Sequence, residues 1–280
     1  MTTHTDPDVN PIRSCPLCGT AGTGATQIGS LKTTVPVELE RSRYDLVTCG
    51  ACELVYLSPE PSARDLRAMY VDNVQFGDAV YTDPERVRSI VEYMTDCLTR
   101  MLGRARRGIR DPIAILEVGA GLAWMCRTAK ALNARSGTVA QDISPEATTR
   151  CKWVDRYIQD DVFSARVAEG APFDVVSLTH VIEHLVDPVS VIRRCRDLLR
   201  RDGFIFVTAP HRPIGWNARS PDISAWEAYS YNHVPAHTQY FSKTSMQALA
   251  IRTGCVLDHW SDAHEQGQAF EAWLRPAGPP

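Results

Sequence analysis

Apolar and polar positions follow three different rules along the chain. Residues 54–57, Leu-Val-Tyr-Leu, read as a short strand closed by the turn Ser58-Pro59-Glu60-Pro61, after a segment of alternating, turn-punctuated sequence. From 62 to about 101 the period becomes helical, with Leu66, Met69 and Tyr70, then Val87, Ile90, Val91, Met94 and Leu98 on one face. Residues 73–84, between those two sets, read as a loop or lid. Beyond 111, buried strands at 113–118, 138–142, 173–179 and 203–208 alternate with helices that run to about 132, open at Pro145 and span 188–199. This β-α-β-α rhythm predicts an α/β fold, a doubly wound parallel sheet with helices on both faces and ligands at the carboxyl ends of its strands. The expected parts are 1–60, 61–110 and 111–280.

Composition narrows the classes. With 280 residues, 44% hydrophobic and 22% charged, the chain is an ordinary globular one, which excludes general disorder, collagen and coiled coil. Thirty Lys+Arg against 33 Asp+Glu leave a net charge of −3, so no global cationic field is available and a nucleic-acid partner is not expected. The basic cluster at 100–110 reads as a solvated helix end. The polar start, MTTHTDPDVNPIRSC, and the lack of any run near the roughly 20 apolar residues of a membrane helix lead to the expectation of a soluble, cytoplasmic protein.

Nine cysteines without an export signal point to reduced thiols or a metal. Cys15-Pro-Leu-Cys18-Gly19 and Cys49-Gly50-Ala51-Cys52 form two C-x-x-C knuckles. Four thiolates so spaced suit tetrahedral zinc with Zn–S bonds of about 2.3 Å, and a filled set of four makes the ion structural. Cys97, Cys126, Cys151, Cys195 and Cys255 fall on helical or strand-like stretches and read as small buried residues.

The strand ends carry the candidate chemistry. Gly119 and Gly121 turn the first long strand into a helix, letting a ligand approach backbone amides. Glu117 before them suits a cationic ligand group better than a phosphate. Asp142, at the end of the next strand, is placed to accept hydrogen bonds from ribose hydroxyls, and Asp160 and Asp161 follow another strand end.

Glu117-Val-Gly119-Ala-Gly121-Leu-Ala123, Asp142, Asp160-Asp161 and the run from Phe173 through His180, Glu183 and His184 to Pro188 resemble, in order, the motifs of class I S-adenosylmethionine-dependent methyltransferases. The resemblance covers roughly 111–260, and Ala123 departs from it by replacing the third glycine. It implies a Rossmann-like sheet in which Glu117, Gly119 and Gly121 hold the amino-acid end of S-adenosylmethionine. Asp142 would hold the ribose, Asp160 or Asp161 with Val162 would frame the adenine, and Thr179 would end the strand toward which the methyl group points. The two knuckles, then Leu-Val-Tyr-Leu-Ser-Pro and a helix ending Met-Tyr, resemble the zinc-ribbon leader of bacterial methyltransferases acting on sugars, glycan precursors and antibiotic intermediates. On that reading 1–60 is a zinc ribbon, 61–110 a helical linker and lid, and 111–280 the cofactor-binding domain. The expected activity is O-methylation of a sugar-bearing or natural-product small molecule. The alternative is C-methylation of a nucleotide-linked deoxysugar, whose longer enzymes carry a further domain for which 280 residues leave no room.

Oxygen and carbon acceptors need a base. His180, directly after the third long strand, is the first candidate, with His184, His211, His233 and His237 near the expected mouth. The set His180, Glu183, His184 and His237 also resembles the metal-binding pattern of small-RNA 2′-O-methyltransferases, with His180 where those carry a glutamate. That resemblance implies a second divalent ion at Glu183, His184 and His237, orienting vicinal hydroxyls. The alternative is that Glu183-His184-Leu185 serves packing and capping alone. Trp216, Trp226, Tyr229 and Tyr231 form an aromatic insertion that suits either a sugar or planar ring, or a core patch under a lid.

Overall fold

A computed structural model describes residues 11–72, 83–145, 151–218, 220–264 and 268–278. Most of the expected 73–84 loop and the start of the helix expected after Pro145 lie outside the described residues.

The N-terminal part is an antiparallel sheet of β1 (Ala25–Lys32), β2 (Arg43–Cys49) and β3 (Val55–Ser58). The first knuckle is a turn in which the Cys15 amide donates to the Thr20 carbonyl at 2.9 Å, and Gly19, at φ 77°, donates back to Cys15. The second knuckle is the β2–β3 turn itself, closed by Glu53 at φ 60°. A fourth strand comes from far along the chain: β9 (Gln239–Tyr240) pairs antiparallel with β3, Tyr240 opposite Val55. Trp226 and Trp216 pack against this sheet with Leu31, Tyr44, Leu46, Leu57 and Tyr240, Trp226 with no exposed surface. Trp226 is therefore core, while Trp216 packs on it and keeps an edge at the surface.

Helix α1 (Ala63–Arg67) is capped by Ser62, and its buried Asp65 accepts from the Tyr44 hydroxyl at 3.0 Å, tying helix to sheet. Helix α2 (Pro84–Arg104) starts with Asp83 as N-cap and proline in its first turn, and buries Met94, Cys97, Leu98, Met101 and Leu102 along one stripe. Its basic end is not simply solvated. Arg100 pairs with Glu271 at 3.1 Å, Arg104 pairs with Asp258, and Arg107 shares the buried Asp174 with Arg200, so arginines clamp the helix to the sheet behind it.

The larger sheet has seven strands: β4 (Ala114–Val118), β5 (Gly137–Asp142), β6 (Arg156–Gln159), β7 (Phe173–Thr179), β8 (Leu199–Pro210), β10 (Cys255–His264) and β11 (Ala269–Pro276). Their spatial order is β10-β11-β8-β7-β4-β5-β6, parallel from β8 to β6, with β11 antiparallel to β8 and to β10. Alternate residues serve opposite faces. Ile115, Val175, Phe204 and Phe206 join α2 and α3 (Trp124–Leu132), while Leu116, Val176, Ile205 and Val207 join α5 (Pro188–Asp197) and α7 (Lys243–Arg252). Short helices α4 (Ala165–Ala168) and α6 (Ile223–Glu227) complete the set. The second face also holds Cys15, Leu17, Cys49, Cys52 and Leu54, so the knuckles share the apolar core of the α/β part. The chain leaves β4 toward β5 on one side and returns to β7 on the other, so the strand order reverses between β4 and β7, and sheets of this kind bind ligands in the crevice outside the carboxyl ends of the strands at such a point. Among the described residues no helix is long and apolar enough to cross a membrane.

Candidate active site

Residues after β4 form one wall of the crevice. Glu117 is buried, and its oxygens accept from the amides of Cys126 at 3.0 Å and Met125 at 3.3 Å. Those are free donors of the first turn of α3, whose N-cap residue, Ala123, has no capping side chain. Glu117 is turned into the helix end rather than toward the crevice, and it acts there as a remote cap. Burial pushes its carboxyl up to about 7, against the lowering effect of the Cys126 and Met125 amides.

The loop it supports is built from left-handed residues: Gly119 at φ 58°, Gly121 at 48° and Ala123 at 53°. A Cβ on Gly119 would lie 2.6 Å from Cγ2 of Val181, because this loop abuts the one after β7. Asp142 is reached by the Gly121 amide at 2.9 Å and the Ser144 amide at 2.8 Å, which orients its carboxylate beside the loop. Gln141 carries a link that sequence reading missed. It accepts from Gly119 and donates to the Asp160 carbonyl at 2.6 Å, joining three strand ends, and an amide in an otherwise buried strand was the available signal. Asp142 pairs with Gln159, so Ile143 and Asp160 leave the sheet side by side. Asp160 and Asp161 spend one oxygen each on the amides of Asp161 and Phe163, and Val162 is buried beneath them. Ile143 and Phe163 are exposed large apolar side chains here, 44% and 52%. They leave apolar surface exposed at the same strand ends as Asp160 and Asp161.

The opposite wall follows β7. Its last residue, Thr179, has a buried hydroxyl with no hydrogen-bond partner. His180 is forced to φ 53° as its amide donates to the Thr208 carbonyl at 2.9 Å, and its ring stacks on Tyr231, centroids 6.3 Å apart. A single 3₁₀ turn, Ile182–His184, then aims Glu183 inward with no exposed surface. His237 arrives from the segment before β9, held by the Thr238 amide donating to the Glu183 carbonyl at 2.8 Å. The structure thus brings three of the five candidate histidines, His180, His184 and His237, around Glu183, with His233 edge-on to His237 at 5.0 Å. His180 Nδ1 stands 3.5 Å from Glu183 Oε1 and His184 Nε2 3.9 Å from it, while the His184 and His237 rings contact edge to face at 4.9 Å. Burial pushes His237 down to about 3 and keeps it neutral. Tyr70, read from the sequence only as an apolar helix-face position, reaches in from the segment after α1 and contacts His184 Nδ1 at 2.9 Å.

The four knuckle sulfurs form a separate cluster. Cys15 and Cys52 stand 3.6 Å apart, Cys18 and Cys49 3.5 Å, and all four lie within 4.8 Å of one another. Zn–S bonds of about 2.3 Å at tetrahedral angles require sulfurs about 3.8 Å apart, so the residues present fit zinc. The hydrogen bond from the Cys52 thiol pulls the Cys15 thiol down, the direction that favours the thiolate a cation needs. The other five cysteines are buried and unbridged, as expected.

Residues 86–259 match the methyltransferase domain family, more than half of the chain. The chain belongs to that family. A methyltransferase domain of this kind accounts for the sheet order and for the crevice at the β4–β7 reversal. Among curated relatives, a ubiquinone biosynthesis O-methyltransferase of Actinobacillus pleuropneumoniae is 27% identical over 101 residues, 36% of this chain and 41% of that one. A probable S-adenosylmethionine-dependent methyltransferase of Mycobacterium tuberculosis is 31% identical over 105 residues, 36% of this chain and 35% of that one. The chain thus spans well under half the length of these relatives. An S-adenosylmethionine-dependent methyltransferase of Clostridium acetobutylicum shares the fold at a TM-score of 0.52 and 8% identity, over 72% of this chain and 98% of that one.

Proposed function

We propose that this protein transfers a methyl group from S-adenosylmethionine to an oxygen of a small-molecule acceptor, sugar-bearing or of natural-product type. The observation that carries the reading is the convergence of the left-handed Gly119–Gly121 loop, the oriented Asp142 carboxylate and His180 on one crevice. Relatives that bear the name O-methyltransferase support oxygen as the accepting atom.

Bound S-adenosylmethionine supplies an electrophilic methyl carbon, so the protein has to place the acceptor in line and remove one proton. The Gly119–Gly121 amides and Asp142 would hold the amino-acid and ribose portions, and Ile143 and Phe163 would sandwich the adenine beside Asp160 and Asp161. Glu117 shapes this pocket through α3 without touching the ligand. As an acceptor oxygen bonded to the methyl carbon, the carbon–sulfur bond of the sulfonium would break and release the neutral thioether, and the oxygen's proton would pass to His180, more accessible at 32% than His184 or His237. Glu183 behind that ring stabilises the imidazolium formed. An open groove of about 660 Å³ at the end of β8, lined by His211, Arg212, Trp216, Phe241, Lys243 and Trp260, supplies rings and cations for the acceptor. Four zinc-bound knuckle thiolates would take no part in the chemistry.

Calorimetric titration tests the reading. Wild type should bind one S-adenosylmethionine, and Asp142→Asn should bind it at least ten times more weakly, since a charge-assisted hydrogen bond contributes about 1.5–3 kcal/mol. A wild-type protein that binds neither S-adenosylmethionine nor its demethylated product would end the proposal.

A further inference from the structure

Glu183 is a fully buried carboxylate with neither oxygen hydrogen-bonded at ordinary geometry. Burying a carboxylate without compensation is costly, and such groups are found paired or bound to a cation. What surrounds Glu183 is a ring of nitrogens held from behind. His184 Nδ1 lies 2.9 Å from the Ala236 carbonyl, and His237 Nδ1 lies 2.9 Å from the Tyr231 carbonyl. The Tyr70 hydroxyl, 2.9 Å from His184 Nδ1, itself donates to the Ala236 carbonyl at 2.8 Å, so protonation of each ring at the Nδ1 that faces a carbonyl leaves an Nε2 lone pair directed inward. The His184 Nε2 stands 3.9 Å from Glu183 Oε1, and one ligand atom from each of Glu183, His184 and His237 falls within 4.8 Å of the others. Two inward ring nitrogens and a carboxylate thus converge, and the one further nitrogen beside Glu183 among the described residues is His180 Nδ1, 3.5 Å from Oε1. Backbone carbonyls fixing the tautomer from outside are what metal-ligating histidines ordinarily have.

We propose that Glu183, His184 and His237 bind one divalent cation of the class that accepts mixed nitrogen and oxygen ligands. The methyl-transfer reading above gives this ion its role. Three protein ligands leave coordination positions open, and an acceptor hydroxyl on one of them would lose its proton to His180 at lower pH than in water. His180 itself stays outside the ligand set, with its partly exposed ring at the mouth. This cation differs in chemistry from zinc at the four thiolates, because manganese prefers oxygen and nitrogen donors to thiolate.

The experiment uses the full chain with its thiolate site zinc-loaded, titrated with Mn²⁺ and followed by electron paramagnetic resonance and by thermal melting. The expected result is one Mn²⁺ per chain and a rise in wild-type Tm with Mn²⁺. Glu183→Gln and His237→Asn should each weaken Mn²⁺ at least tenfold and abolish the Tm rise, with zinc content unchanged. Glu183→Gln keeps the shape of the side chain, so its melting without Mn²⁺ gives the baseline from which the loss of the Mn²⁺-dependent rise is read. If wild type binds no Mn²⁺ and no second Zn²⁺, or if both variants bind as wild type does, the site is overturned. S-adenosylmethionine affinity, titrated separately on the same sample, isolates the other reading: Mn²⁺ bound without it supports the cation site and overturns methyl transfer alone.

Discussion

Single residues set the crevice. Gly119 combines a positive φ with a neighbour 2.6 Å from any added Cβ, so Gly119→Ala should cost about 1–3 kcal/mol in urea unfolding. Val181→Ala in the same chain should restore part of that loss by removing the contact while the backbone strain stays. Glu117 makes a pH prediction. Its folded value, raised by burial to about 7, lies above the ordinary value of 4.5, so the native state holds the proton more tightly. Its favourable contribution is full below about 4.5 and is lost as pH rises through about 7. Relative to Glu117→Gln, wild type should therefore lose up to about 3 kcal/mol of stability between pH 4.5 and 7.5, measured by urea unfolding across that range. A difference that stays flat would show that the α3 amides hold the carboxylate ionised. Glycines and aspartates at strand ends were legible because a parallel sheet delivers them there whatever the rest of the chain does. The inward turn of Glu117 was not, although a helix beginning at Trp124 without a Ser, Thr or Asp before it was the sign that a cap had to come from elsewhere.

At the scale of elements, the parallel strands were legible because burial on both faces makes them continuous apolar runs. The β10–β11 hairpin was not. Asp258, Asp262 and Glu271 interrupt its apolar pattern and two register shifts break its period, and the distant Arg100, Tyr93 and Cys97, with His259 across the hairpin, explain a glutamate in the buried β11. The segment between β8 and α7 shows the same dependence on distance. From sequence its aromatic residues suited either a ligand or a core, and the structure divides them. Trp226 packs under the four-stranded sheet, while Tyr231 stacks on His180 and His237. Trp226→Ala should cost about 3–5 kcal/mol, typical of a buried tryptophan. The cavity lies beside Tyr240, so a competing outcome, a loss below 1 kcal/mol in chemical denaturation, would mean the insertion is not part of the cooperative core.

For the whole molecule, the shared core has a thermodynamic consequence. Cys15, Cys49 and Cys52 pack in the same cluster as Leu249 of α7 and Ile205 of β8. For protein loaded with zinc at the four thiolates, a strong chelator, or the substitution Cys49→Ser, should lower Tm for the entire chain in a single calorimetric transition. Two separated transitions would instead show a ribbon that melts alone. The pairing of β3 with β9 adds a consequence of another kind. During synthesis the N-terminal strands leave the ribosome first, yet Val55 finds its partner only when Tyr240 has been made. Most of the chain must therefore be translated before the first sheet is closed, and until then β3 presents an open edge, the kind of surface on which nascent chains misassemble.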